Sequence, residues 1–168
     1  MLGLLLLLQA TPGPGAPAPG WKLSDRTNSA GVRSVGTAVT GTDGVSRLIV
    51  KCDVAEEPIV SVQFLHPAQI GAGPKPVAVR FDNGLANSFL WEVASAGAYV
   101  SDPQAVTTLT TFLARAKTVS VETTNASNFA IQATFPAPGD DRLIRQVLGI
   151  CGYTLGTLPP APAPKNAK

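Results

Sequence analysis

Charge is scarce in this chain. Asp, Glu, Lys and Arg together make up 14% of its 168 residues, against roughly 25% in soluble domains. The arginines Arg26, Arg33, Arg47, Arg80, Arg115 and Arg142 stand apart in the sequence, and the formal net charge is only +2. Nucleic-acid binders carry a basic stripe or patch with aromatics interleaved, so this pattern argues against a nucleic-acid partner. Histidine is nearly absent, with His66 alone, and no serine sits in the G-x-S-x-G context of a nucleophile elbow. Long apolar runs are missing too. The longest, Leu2–Leu8, is about a third of what a membrane-spanning helix needs, so a mature chain without a transmembrane helix is expected. The glycines of Gly71-Ala72-Gly73-Pro74 open no helix and match no phosphate-binding loop.

Cysteine is almost as rare, and its placement is informative. Cys52 and Cys151 are the only two. They form neither the paired C-x-x-C spacing nor, with the lone His66, the four-ligand set of structural zinc, so no metal and no cofactor is expected. The opening Met1-Leu2-Gly3-Leu4-Leu5-Leu6-Leu7-Leu8 fits the apolar region of an export signal, with Leu8-Gln9-Ala10 as a small-residue cleavage site, although no basic residue precedes it. Export leads to an oxidising compartment, where a Cys52–Cys151 disulfide is expected. Residues 11–20 (TPGPGAPAPG) and 154–168, with its PPAPAPKNAK end, are Pro- and Ala-rich. Such segments bury too little to offset their ordering entropy and read as a linker and a tail. One domain is expected between them, 21–153, after a signal over 1–10.

The domain reads mainly as strands. Val35, Thr37 and Val39 alternate along one segment, and a second runs from Ser46 to Asp53 beyond the Asp43-Gly44 turn signal. Val60, Val62 and Phe64 share a face of a third. Two more, over 77–82 and 88–93, flank Asn83-Gly84, and Ala98–Ser101 extends that meander. Asp102-Pro103 then changes the period: an N-cap, a proline at the first helical position, and Val106, Leu109, Phe112 and Leu113 at helical spacing predict a helix over about 103–116. Strands over 118–123 and 129–135 follow. A second helix over about 140–149 carries Leu143, Ile144, Val147 and Leu148, with Asp140 and Asp141 at its positive end. The expectation is an α+β or mainly-β domain, an antiparallel sheet or sandwich of six to eight strands with two short helices and one disulfide.

Candidate chemistry is thin. His66 precedes Pro67 at a strand end and reads as a turn residue. Asp82 and Glu92 flank the Asn83-Gly84 turn, and a carboxylate pair facing one cleft is what glycoside hydrolysis uses. No catalytic set is assigned. Trp21, Trp91 and Tyr153 are the aromatics of interest, as core caps or as a binding platform.

Several short motifs in order resemble a known family. Gly20-Trp21-Lys22-Leu23 follows the leader. Leu48-Ile49-Val50-Lys51-Cys52 ends a strand, and Val79-Arg80-Phe81-Asp82-Asn83-Gly84 with Trp91 forms a hairpin. Leu113-Ala114-Arg115-Ala116-Lys117 closes a helix, and Cys151-Gly152-Tyr153 ends the domain. This order, over about 21–153, resembles the small exported type VI secretion-associated proteins of Gram-negative bacteria. The resemblance implies a periplasmic location, the Cys52–Cys151 bridge and the Arg80-Phe81-Asp82 hairpin, and it carries no catalytic residues. The functional expectation is a non-enzymatic periplasmic binding or accessory protein acting on another envelope protein, in connection with a secretion system. The alternatives are a periplasmic inhibitor of a cell-wall hydrolase, and a hydrolase with a site the sequence does not display.

Overall fold

The computed structural model describes residues 20–95 and 97–160; the leader and most of the linker and tail lie outside the described residues. Ten strands and two helices occur among those described, in the order β1 (Lys22–Thr27), β2 (Arg33–Thr40), β3 (Arg47–Val54), β4 (Ile59–Leu65), β5 (Gly71–Ala72), β6 (Lys75–Phe81), β7 (Ala86–Ser95), β8 (Gly97–Val100), α1 (Pro103–Leu113), β9 (Thr118–Thr124), β10 (Ala130–Pro136) and α2 (Arg142–Ile150). The mainly antiparallel class with two helices and one disulfide is as expected. The strand count is not: ten replace six to eight. The two unforeseen strands have physical reasons to be invisible. Every residue of β1 is exposed, so no apolar alternation marks it, and β5 is a two-residue bridge at a glycine.

All strands join one antiparallel sheet ordered β1-β2-β3-β4-β8-β7-β6-β9-β10, with β5 beside β7. The sheet curls until its far end returns to β2. The Thr42 N–H donates to the Thr134 carbonyl at 2.8 Å, and the Trp21 indole N–H donates to the Pro136 carbonyl at 2.7 Å. Gly41 permits this approach, because a Cβ there would stand 3.2 Å from the Phe135 ring. The concave side is filled by the expected faces of β2 (Val35, Thr37, Val39) and β4 (Val60, Val62, Phe64) and by Leu48, Val50 and Cys52 of β3, all buried.

Helix α1 packs against β4, and α2 against β2 and β3. The first starts as the sequence indicates: Asp102 accepts the Ala105 N–H at 2.9 Å and Pro103 occupies the first turn. It ends at Leu113, short of 116, and the chain turns through Ala114 and Arg115. Leu109 and Leu113 are buried, whereas Phe112 is exposed on the flank and stacks on Phe81 at 5.5 Å between ring centroids. Helix α2 begins at Arg142. Asp140 accepts the Arg142 N–H, and Asp141 pairs with Arg145 one turn on at 2.6 Å. Beyond its last turn, Cys151 bonds to Cys52 of β3 across 99 positions, with Cα atoms 5.8 Å apart. Among the described residues, no helix is long and apolar enough to cross a membrane.

Candidate binding groove on the outer face of β1 to β3

The outer face of the first three strands is recessed. Register places Lys22, Ser24 and Arg26 of β1 opposite Ala38, Gly36 and Ser34 of β2, and those opposite Ile49, Lys51 and Asp53 of β3. The β2 contribution to this face is small throughout. At Gly36 the fit is tight: an added Cβ would meet the Val50 carbonyl oxygen at 3.2 Å. Long side chains on β1 and β3 therefore stand as walls over a low floor and enclose a groove of about 760 Å³. That lies within the 300–1,000 Å³ typical of ligand sites.

The groove is basic. Lys22, Arg26, Arg47 and Lys51 line it, and no acidic residue does. Lys51 is paired with Asp53 at 2.9 Å, and Asp53 also accepts a hydrogen bond from the Ser34 hydroxyl. Lys22, Arg26 and Arg47 form no ion pair among the described residues. The acid of β1, Asp25, faces the other way and is held by Arg33 at 2.6 Å. The hydrogen bond from that guanidinium keeps the Asp25 carboxyl below its ordinary range. A chain of net charge +2 thus gathers uncompensated positive charge on one face, where clefts of a single sign attract counter-charged partners.

The residues singled out from the sequence lie elsewhere. Trp21 is buried and fastens the start of β1 to the end of β10. Trp91 is fully buried in β7, and its indole N–H has no hydrogen-bond partner among the described residues. Tyr153 is half-buried against the core, and its N–H donates to the Leu148 carbonyl. Burial, and then the charge of Asp102, push its phenol above the ordinary range. None of the three forms an exposed aromatic platform.

The Arg80-Phe81-Asp82 segment shapes its hairpin. Arg80 donates to the Gly84 carbonyl at 2.7 Å. The turn places Asp82, and not the Asn-Gly pair, in the left-handed region at φ 50°, which Asp tolerates better than most residues. The Asp82 carboxylate accepts the backbone N–H groups of Thr118 and Lys117, each at 2.9 Å. These bonds, Thr118 first, hold its pKa below the ordinary value. Glu92 pairs across the sheet with Tyr99, toward the opposite end of the hairpin from Asp82, so the structure does not bring these carboxylates together. His66 uses Nδ1 to accept the Ala68 N–H at 3.1 Å in a local turn.

The Asp82 geometry has a pH consequence. A carboxylate whose folded pKa is depressed contributes stability above its unfolded pKa, near 3.9, and loses it as pH falls through the folded value. The expected result is a melting temperature that drops on acidification below about pH 4. Asp82→Asn lowers it at neutral pH and flattens that acid limb. Thermal melts across the acid range check both effects, and an unchanged limb in the variant refutes the role.

The groove was hidden from the sequence because its cations come from strands whose pairing the sequence does not specify. One trace was present: Arg47 and Lys51 alternate with Leu48 and Val50 at the period of a strand.

Fold and groove together define a disulfide-tied antiparallel β domain, with two helices packed on one face of its sheet and a basic recess on the other. No family profile matches the sequence, and no curated protein sequence matches it. Among solved structures, the chain is similar to the crystal structure of invasion associated protein B from Bartonella henselae. The likeness covers 81% of this chain and 98% of that one, with a TM-score of 0.51 at 12% identity. At that identity the likeness is one of fold.

Proposed function

We propose that this chain is an exported, non-enzymatic binding module that docks an envelope protein through the basic groove of β1 to β3. The observation that carries the reading is that groove: about 760 Å³, lined by four cations of which, among the described residues, only Lys51 is ion-paired, with Asp53. The Cys52–Cys151 bond suits an oxidising compartment, and a Gram-negative periplasm, with an accessory role beside a secretion system, is the setting we assign to it. Charge complementarity of this kind sets partner choice and association rate, so the partner presents acidic groups.

Chemical cross-linking in envelope extract tests the reading, comparing the native chain with Arg26→Glu/Arg47→Glu. Both side chains are exposed, so the variant is expected to melt with the native protein. A discrete adduct is expected with the native chain, reduced about tenfold in the variant and weakened by added salt. An adduct that ignores the charge reversal, or none, overturns it.

A further inference from the structure

Strand β1 pairs with β2 alone, so its other edge carries no strand among the described residues. All six of its residues are exposed. An open edge of this length is a template for an added strand, and side chains beside it decide what is accepted. Lys22, Ser24 and Arg26 share the groove face, with Arg47 on the wall beyond. Lys22 and Arg26 are four positions apart, about 13 Å along an extended chain.

Two occupants are disfavoured by chemistry. The flanking segments 1–19 and 161–168 contain no Asp or Glu, and proline recurs in them from Pro12 onward. They bring no charge to meet the cations, and proline removes donors from a ladder. A second copy paired antiparallel about Ser24 would set Lys22 against Arg26 of its neighbour, and like charges directly opposite destabilise a sheet.

We propose that the free edge of β1 takes up an extended acidic peptide as an additional strand. Its backbone extends the sheet. Carboxylates at two positions four apart face Lys22 and Arg26, and the residue between them lies beside Ser24. The pattern sought in a partner is therefore alternating acid in an extended segment, not a helix and not a disordered polyanion. This rests on reading the basic face of β1 to β3 as the docking surface, and places the docking segment along the outer edge of β1.

Fluorescence anisotropy with the full chain tests it. The probe is a labelled peptide of about eight residues, a usual strand length, alternating glutamate and threonine. The control is the same peptide N-methylated at every backbone amide, which keeps the charge and loses every N–H. The parent peptide is expected to bind about tenfold more tightly than the methylated one, and about tenfold more weakly to Arg26→Glu. Inorganic polyphosphate at equal charge is expected to displace it poorly. Equal binding of the two peptides, efficient displacement by polyphosphate, or no binding of the parent overturns strand addition. A charge-dependent cross-link in extract without peptide binding removes this inference and leaves the docking site standing. Failure of both removes the groove as a site.

Discussion

Replacing Cys52 and Cys151 together by alanine is expected to lower the unfolding free energy by about 2–5 kcal/mol. The bridge closes a loop of 99 positions, and for a loop near 100 residues the chain-entropy model gives about 4.7 kcal/mol. That is a large share of the roughly 5–15 kcal/mol by which domains are stable. Local structure adds to the effect. Helix α2 has nine residues, too few to persist alone in water. Its place depends on Ile144, Val147 and Leu148, all buried against β2 and β3, and on the covalent tie just after its last turn. Alanine is the right probe, because Cys52 is fully buried and serine would add an unpaired hydroxyl. Denaturant titration checks the result. The reduced native chain should match the double variant, with a steeper denaturant dependence than the oxidised chain because the unlinked denatured state exposes more surface. A loss below about 1 kcal/mol would show that the bridge is not what holds α2 on the sheet.

Trp91→Ala is expected to cost about 3–5 kcal/mol, the usual range for emptying a large buried aromatic site. The ring is fully buried where the sheet meets α1, and it lines a small apolar pocket with Leu48, Val62, Leu109 and Val119. Those neighbours belong to different strands and a helix and cannot all close on the gap. Trp91→Phe separates two contributions. The indole N–H finds no partner among the described residues, so removing it forfeits no hydrogen bond, and the phenylalanine variant should lose under about 2 kcal/mol. Urea titrations of both variants decide the point. A phenylalanine variant as unstable as the alanine one would mean that the N–H is bonded after all.

Trp91 also shows what local pattern reveals. It alternates with Phe89 and Val93 along one face, a period that marks a strand from a few residues alone. The same holds for Val60, Val62 and Phe64, and for the Asp102-Pro103 start of α1, because burial on one side and capping at one end leave marks within a few residues. Phe112 shows the limit. Its helical spacing suggested a place in the buried stripe, but the ring lies on the helix flank against Phe81, a contact made with a strand more than 30 positions away. Strand β1 shows it more sharply. With neither face buried, its sequence had no alternation of apolar and polar residues to display.

Alternating faces and the pair of cysteines were enough to indicate a mainly β domain tied by one disulfide, because each rests on short-range chemistry or on totals. The disulfide that began as a hint about compartment became, in the fold, the tie between β3 and the end of α2. Tertiary pairing alone decided the rest. It committed Asp82 to backbone amides and set Glu92 apart from it. It also assembled Lys22, Arg26, Arg47 and Lys51 into a basic groove over the small residues of β2. Cations that look scattered along the chain become neighbours because the buried face of β3 fixes the register that turns Arg47 and Lys51 outward, and β1 pairs with β2 beside them.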